Sequence, residues 1–67
     1  MKSFKEIRKS RDLTQQELAD MLEVSVGYCS LFERGQRTPS FDMAKRIAVS
    51  LNLTLDELYD SLVVGRD

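Results

Sequence analysis

Chemistry has few places to reside in this chain. Cys29 is the single thiol and there is no histidine, so neither a serine nor the cysteine has its ordinary activating base. The carboxylates fall at helix starts and on polar faces rather than in facing pairs, and an ordinary zinc site has no imidazole to use. Catalysis is therefore not expected, nor is any metal or cofactor. What remains is hydrogen-bonding side chains along the whole chain, among them the guanidinium groups of Arg34 and Arg37, the amides of Gln15 and Gln36, and the hydroxyls of Ser25, Tyr28, Ser30, Thr38 and Ser40. Without an activating base, groups of this kind hold anions and hydrogen-bonding edges.

Most of them lie in or beside one stretch, residues 14–35, which reads as two short helices and a tight turn. Thr14 accepts a hydrogen bond from the first helical turn while Glu17, three residues on, reaches back to the Thr14 amide, and Leu13 with Leu18 adds a hydrophobic staple. Leu18, Ala19 and Leu22 then give a helix over 15–22 one apolar stripe. A second start follows after Glu23 and Val24, because Ser25 is a good N-cap, Val24 can staple against Cys29, and Phe32 continues the inward face of a helix over 26–34. Helices joined this closely cannot lie antiparallel. They cross steeply, so the first braces the second and the second projects a face outward. Gly35 suits the left-handed residue that closes a helix, and Pro39 prevents continuation.

The flanking elements are equally legible. Ser3 with Glu6 opens a first helix over 4–11 whose Phe4 and Ile7 point inward. Ser40 caps a fourth over 41–51, where Met43, Ala44, Ile47, Ala48 and Leu51 recur at helical spacing and Asn52 can terminate. Thr54 and Glu57 open a fifth over 55–62, stapled by Leu53 and Leu58, with 63–67 as a frayed tail. No segment reads as a strand. The expected class is all-α, one compact domain of five helices, and its 67 residues bury only about 60% of the unfolded surface.

In order, L-T-Q-Q-E-L-A from Leu13, V-S at Val24, Y-C-S-L-F-E-R-G from Tyr28, T-P-S from Thr38 and L-N-L-T-L-D-E-L from Leu51 resemble the Xre/Cro type of helix-turn-helix protein. That group includes the lambdoid phage repressors and Cro proteins, and the likeness runs from about Phe4 to Leu62. It implies a lambda-repressor-like fold that binds double-stranded operator DNA, usually as a homodimer, with the second motif helix in the major groove. By the same pattern Arg8 pairs with Glu33 to tie the first helix to the recognition helix. Gln15 takes the position at the start of the second helix whose amide contacts a phosphate.

The outward residues of the recognition helix are then the base-contact set: Ser25, Val26, Gly27, Ser30 and Leu31. Tyr28, Arg34, Gln36, Arg37, Thr38 and Ser40, with Gln15, form the phosphate-contact set. Valine and leucine touch only thymine methyls or exclude water, so base readout is expected to be largely apolar and partly indirect. For Tyr28, a half-buried ring covering the core edge is an equal alternative. Gly27 costs about 1 kcal/mol against alanine in a helix, so either close approach to DNA explains it or nothing does. Two residues depart from the family pattern. Glu23 stands where the turn usually has glycine, at a left-handed cost of roughly 1–2 kcal/mol, and Val26 replaces a commonly polar residue.

Net charge is −1, whereas a domain that neutralises phosphate is expected to be basic. The charges are segregated, though: +4 over residues 1–11, −5 over 12–33, +3 over 34–46 and −3 over 47–67. Two basic segments flanking one surface leave the far side acidic. Few cations are in reach, so about three or four phosphates per subunit are expected, each contributing a salt slope of about −0.9. Dimerisation is expected through candidates among Phe41, Leu53, Leu55, Tyr59 and Leu62, some of which instead finish the small core. No apolar run spans a bilayer and no signal-like h-region opens the chain, so the cytoplasm is the expected home; the resemblance implies a bacterial or phage-encoded protein, nucleoid-associated when bound. The expected function is a small dimeric repressor on a palindromic operator. The alternative is a protein-interaction module that meets a protein partner, such as another regulator or a toxin, through Val26, Gly27 and Leu31.

Overall fold

In the computed structural model, described over residues 2–64, the chain forms α1 (Phe4–Ser10), α2 (Gln15–Leu22), α3 (Val26–Glu33), α4 (Phe41–Leu51) and α5 (Leu55–Val64). No strand occurs among the described residues. Three ends differ from the sequence reading. Arg11 and Arg34 are C-caps rather than last helical residues, and α5 runs on to Val64, so the expected tail begins later. The rest of that tail, 65–67, lies outside the described residues.

Each helix starts on a hydroxyl. Ser3, Thr14 and Thr54 accept from the amides of Glu6, Glu17 and Glu57, whose carboxylates accept from the cap amides in return. Ser25 and Ser40 accept from Tyr28 and Met43 without a returning carboxylate. The reciprocal bonds hold the Glu6, Glu17 and Glu57 carboxyls below their ordinary range, the hydrogen bond from the cap's backbone amide being the largest cause.

The first four helices also end alike. Asp12, Glu23, Gly35 and Asn52 have φ of 57°, 59°, 69° and 57°, and each starts a Schellman pair in which two successive amides return to the last turn. At α2 these are Glu23 N–H to Asp20 O, 3.2 Å, and Val24 N–H to Ala19 O, 3.0 Å; at α3, Gly35 N–H to Phe32 O, 3.2 Å, and Gln36 N–H to Leu31 O, 3.0 Å. Glu23 therefore keeps the left-handed geometry of a glycine turn and carries its steric cost. Asp12 does the same between α1 and α2, where the sequence reading had no terminator.

Phe4, Ile7, Leu18, Ala19, Leu22, Cys29, Phe32, Ala44, Ile47, Ala48, Leu51, Leu58 and Leu62 build one core drawn from all five helices. Helix α2 packs on α3 and α4, and α1 closes against α3 and α5. Pro39 is buried as well, so it packs the α3–α4 connection in addition to ending a helix. Ser61 is buried and donates to Leu58 O, 2.6 Å, a satisfied polar group inside the last helix.

Candidate nucleic-acid interface

The start of α2 and the end of α3 are joined by one carboxylate. Arg8 donates from Nε to Glu33 Oε1 at 2.9 Å and from Nη1 to Leu13 O at 2.6 Å, and Gln15 Nε2 donates to Glu33 Oε2. The Arg8 and Glu33 side chains are 6% and 4% exposed. Glu33 sits at a helix C-terminus, where the dipole disfavours an anion; a guanidinium and an amide offset that. Helices α1 and α2 thereby fix the angle at which α3 is presented. Gln15 uses one amide N–H in this brace, and a primary amide has a second to offer.

At the head of α3, Ser25 and Gly27 are exposed and Val26 is 38% exposed. A Cβ built on Gly27 meets nothing within 4 Å, so nothing in the fold demands glycine there. Ser30 donates its hydroxyl to Gly27 O at 2.8 Å and its oxygen accepts from Arg34 Nη2 at 3.5 Å. Leu31 is half-buried. Tyr28 is half-buried too, its ring set edge-on against Phe32 with centroids 5.1 Å apart and planes at 74°. The Arg37 guanidinium lies 5.3 Å from the centre of that ring. Gln36, Thr38 and Ser40 are exposed along the same connection. The expected base-contact and phosphate-contact residues thus gather around α3, the start of α2 and the loop before α4.

The expected dimer residues do not form one exposed surface. Phe41 is 60% exposed under the Lys45 ammonium, 4.9 Å from its ring centre. Leu53, Leu55 and Tyr59 are half-buried against the core. Leu62 is one of those that finish the core: it is 5% exposed, because it follows Leu58 by one helical turn and shares its inward face. It closes the core and offers a partner no surface. Met21, Val49 and Val63 are exposed instead, residues the helical pattern had not singled out.

Two arginines hold the scaffold through distant carbonyls. Arg46 Nη2 donates to Leu22 O at 2.7 Å and Arg11 Nε to Leu51 O at 2.9 Å, capping the ends of α2 and α4. Their partners are 24 and 40 residues away, so no local pattern announces them. Cys29 is wholly buried. Burial pushes its thiol up and the Glu33 carboxylate adds to this, with Arg8 opposing, which makes it an inert core group.

A capped brace helix, a tight left-handed turn and a second helix with an open head define a helix-turn-helix domain. Residues 4–58 match the family described as Helix-turn-helix, and the chain belongs to it. It is 40% identical over 48 residues to the transcriptional regulator ClgR of Mycobacterium tuberculosis, covering 72% of this chain and 43% of that protein. It is 29% identical over 59 residues to the HTH-type transcriptional regulator DdrOP3 of Deinococcus deserti, covering 88% and 46%. The chain thus spans less than half the length of these relatives. No solved structure gives a significant match. Among the described residues no helix is long and apolar enough to cross a membrane.

Proposed function

We propose that this domain is a sequence-specific DNA-binding transcription regulator of the cytoplasm, a homodimer that reads a palindromic operator in the major groove and acts as a repressor. The observation that carries the reading is the open head of α3: Ser25, Val26 and Gly27 are exposed and no neighbour crowds Gly27, while the arginine brace fixes the helix behind them. Ser25, Val26, Gly27, Ser30 and Leu31 face base edges. Gln15, Tyr28, Arg34, Gln36, Arg37, Thr38 and Ser40 hold the flanking phosphates, with first-turn amides of α2 and α4 adding donors. Both relatives are transcriptional regulators by name, which supports the same role here and none in catalysis.

The direct test is selection of random duplex DNA by the purified protein at low salt. Recovery of a palindrome with half-sites about 34–36 Å apart supports the dimeric regulator; recovery of no common sequence by a folded protein refutes specific recognition. The net charge of −1 and the uncharged head of α3 favour a second reading, docking of a partner protein on Val26, Gly27 and Leu31. Arg37→Ala separates the two, since it weakens duplex binding under the first and is indifferent under the second.

A further inference from the structure

We propose that Tyr28 is the positioning residue for Arg37, its ring holding the guanidinium beside the recognition helix so that the loop meets a phosphate with its cation already in place. This rests on the DNA-binding reading above. Three observations converge on it. The Tyr28 ring is anchored, since it stands edge-on to Phe32, itself 1% exposed. The Arg37 guanidinium lies within cation–π range of that ring at 5.3 Å, although Arg37 sits in an exposed loop. The nearest acid on the recognition helix does not compete for it, because both Glu33 oxygens are taken by Arg8 and Gln15.

A cation–π contact spends no hydrogen bond on an acceptor, so the N–H fork stays available for phosphate. Arg34 and Arg46 differ: one donates to Ser30 and the other to Leu22 O. An untethered arginine loses rotamer freedom when it grips its ligand, and a ring that holds it beforehand removes part of that cost. Tyr28 therefore holds Arg37 through its ring face and not its hydroxyl.

The test uses the whole chain and a mixed-sequence duplex of about 21 base pairs, two helical turns, since phosphate contacts do not depend on sequence. Affinity is measured across about 50–200 mM salt. Tyr28→Phe keeps the ring, so Arg37→Ala should cost the same fold in that background as in the wild type. Tyr28→Leu should lose about two- to tenfold with an unchanged salt slope, because the phosphate contact survives without its platform. Arg37→Ala should lose affinity and about 0.9 of slope, and adding Tyr28→Leu to it should cost nothing more. Additive losses of Tyr28→Leu and Arg37→Ala, or an Arg37→Ala effect that is diminished in Tyr28→Phe, overturn the proposal. In the free protein, the Arg37 side-chain protons should show an upfield ring-current shift that Tyr28→Leu abolishes and Tyr28→Phe retains; its absence overturns the platform whatever the DNA result. A wild-type protein that retains no duplex removes the DNA-binding reading, whereas intact binding with additive losses removes this proposal alone.

Discussion

Gly27→Ala separates what the fold wants from what the site wants. Gly27 is the second residue of α3, and an added Cβ has open space around it. The free domain should therefore accept alanine without strain. Glycine in a helix costs about 0.5–1 kcal/mol relative to alanine, so the variant should be more stable by that amount. For a domain of this size each kcal/mol moves Tm by roughly 4–8 °C, and the melting curve should rise by about 2–8 °C. Duplex affinity should move the other way. If the α3 backbone approaches a base pair closely at Gly27, a methyl group there costs about tenfold in Kd, or about 1.4 kcal/mol. The salt slope should stay put, because no phosphate contact is touched. Thermal melts by circular dichroism and titration of a fluorescent duplex read the two effects separately. A variant that is more stable and binds unchanged refutes close approach as the reason for the glycine. A variant that is less stable refutes the open environment itself.

Further outcomes follow from the scaffold. Glu23→Gly and Asp12→Gly each relieve a left-handed non-glycine residue, a strain of about 1–2 kcal/mol partly offset by glycine's greater chain entropy; urea midpoints should rise in both, with unchanged m-values. Arg8→Met strands the Glu33 carboxylate, 4% exposed, and should cost about 3–5 kcal/mol, measurable as a large fall in urea midpoint. Glu6, Glu17 and Glu57 have folded carboxyls held below the reference value of 4.5, so the unfolded chain binds their protons first. Their stabilisation is complete above about pH 4.5 and disappears as pH falls through the lower folded values. Melts at stepped pH should show this loss, and Glu57→Gln should shrink it.

Helix starts could be read from sequence because their bonds are local: Ser3 with Glu6 and Thr54 with Glu57 meet three residues apart on any helix. Gly35 was visible for the same reason. Asp12 was not, since an aspartate enters the left-handed region without a distinctive neighbour. Arg11 and Arg46 also escaped notice. Their carbonyl partners are brought close only by the packing of α4 against α2 and of α1 beside the end of α4. Leu62 can be read either way from sequence, because an apolar stripe tells which residues share a face and not whether a partner or the core covers it. The cation–π pairing of Arg37 with Tyr28 depends on the path of the loop after Gly35, which turn residues alone leave undetermined.

The four left-handed reversals have a kinetic consequence. They join helices of 7 to 11 residues, each below the roughly 12–15 residues at which an isolated helix is even marginal in water. No helix persists without its neighbours, so the domain opens as a unit. Because successive helices meet across such short connections, little loop has to be closed in folding, and small helical domains of this kind form in microseconds to milliseconds. The domain is therefore folded almost as soon as its last helix is made, and a change of about 1–2 kcal/mol in its stability alters abundance several-fold.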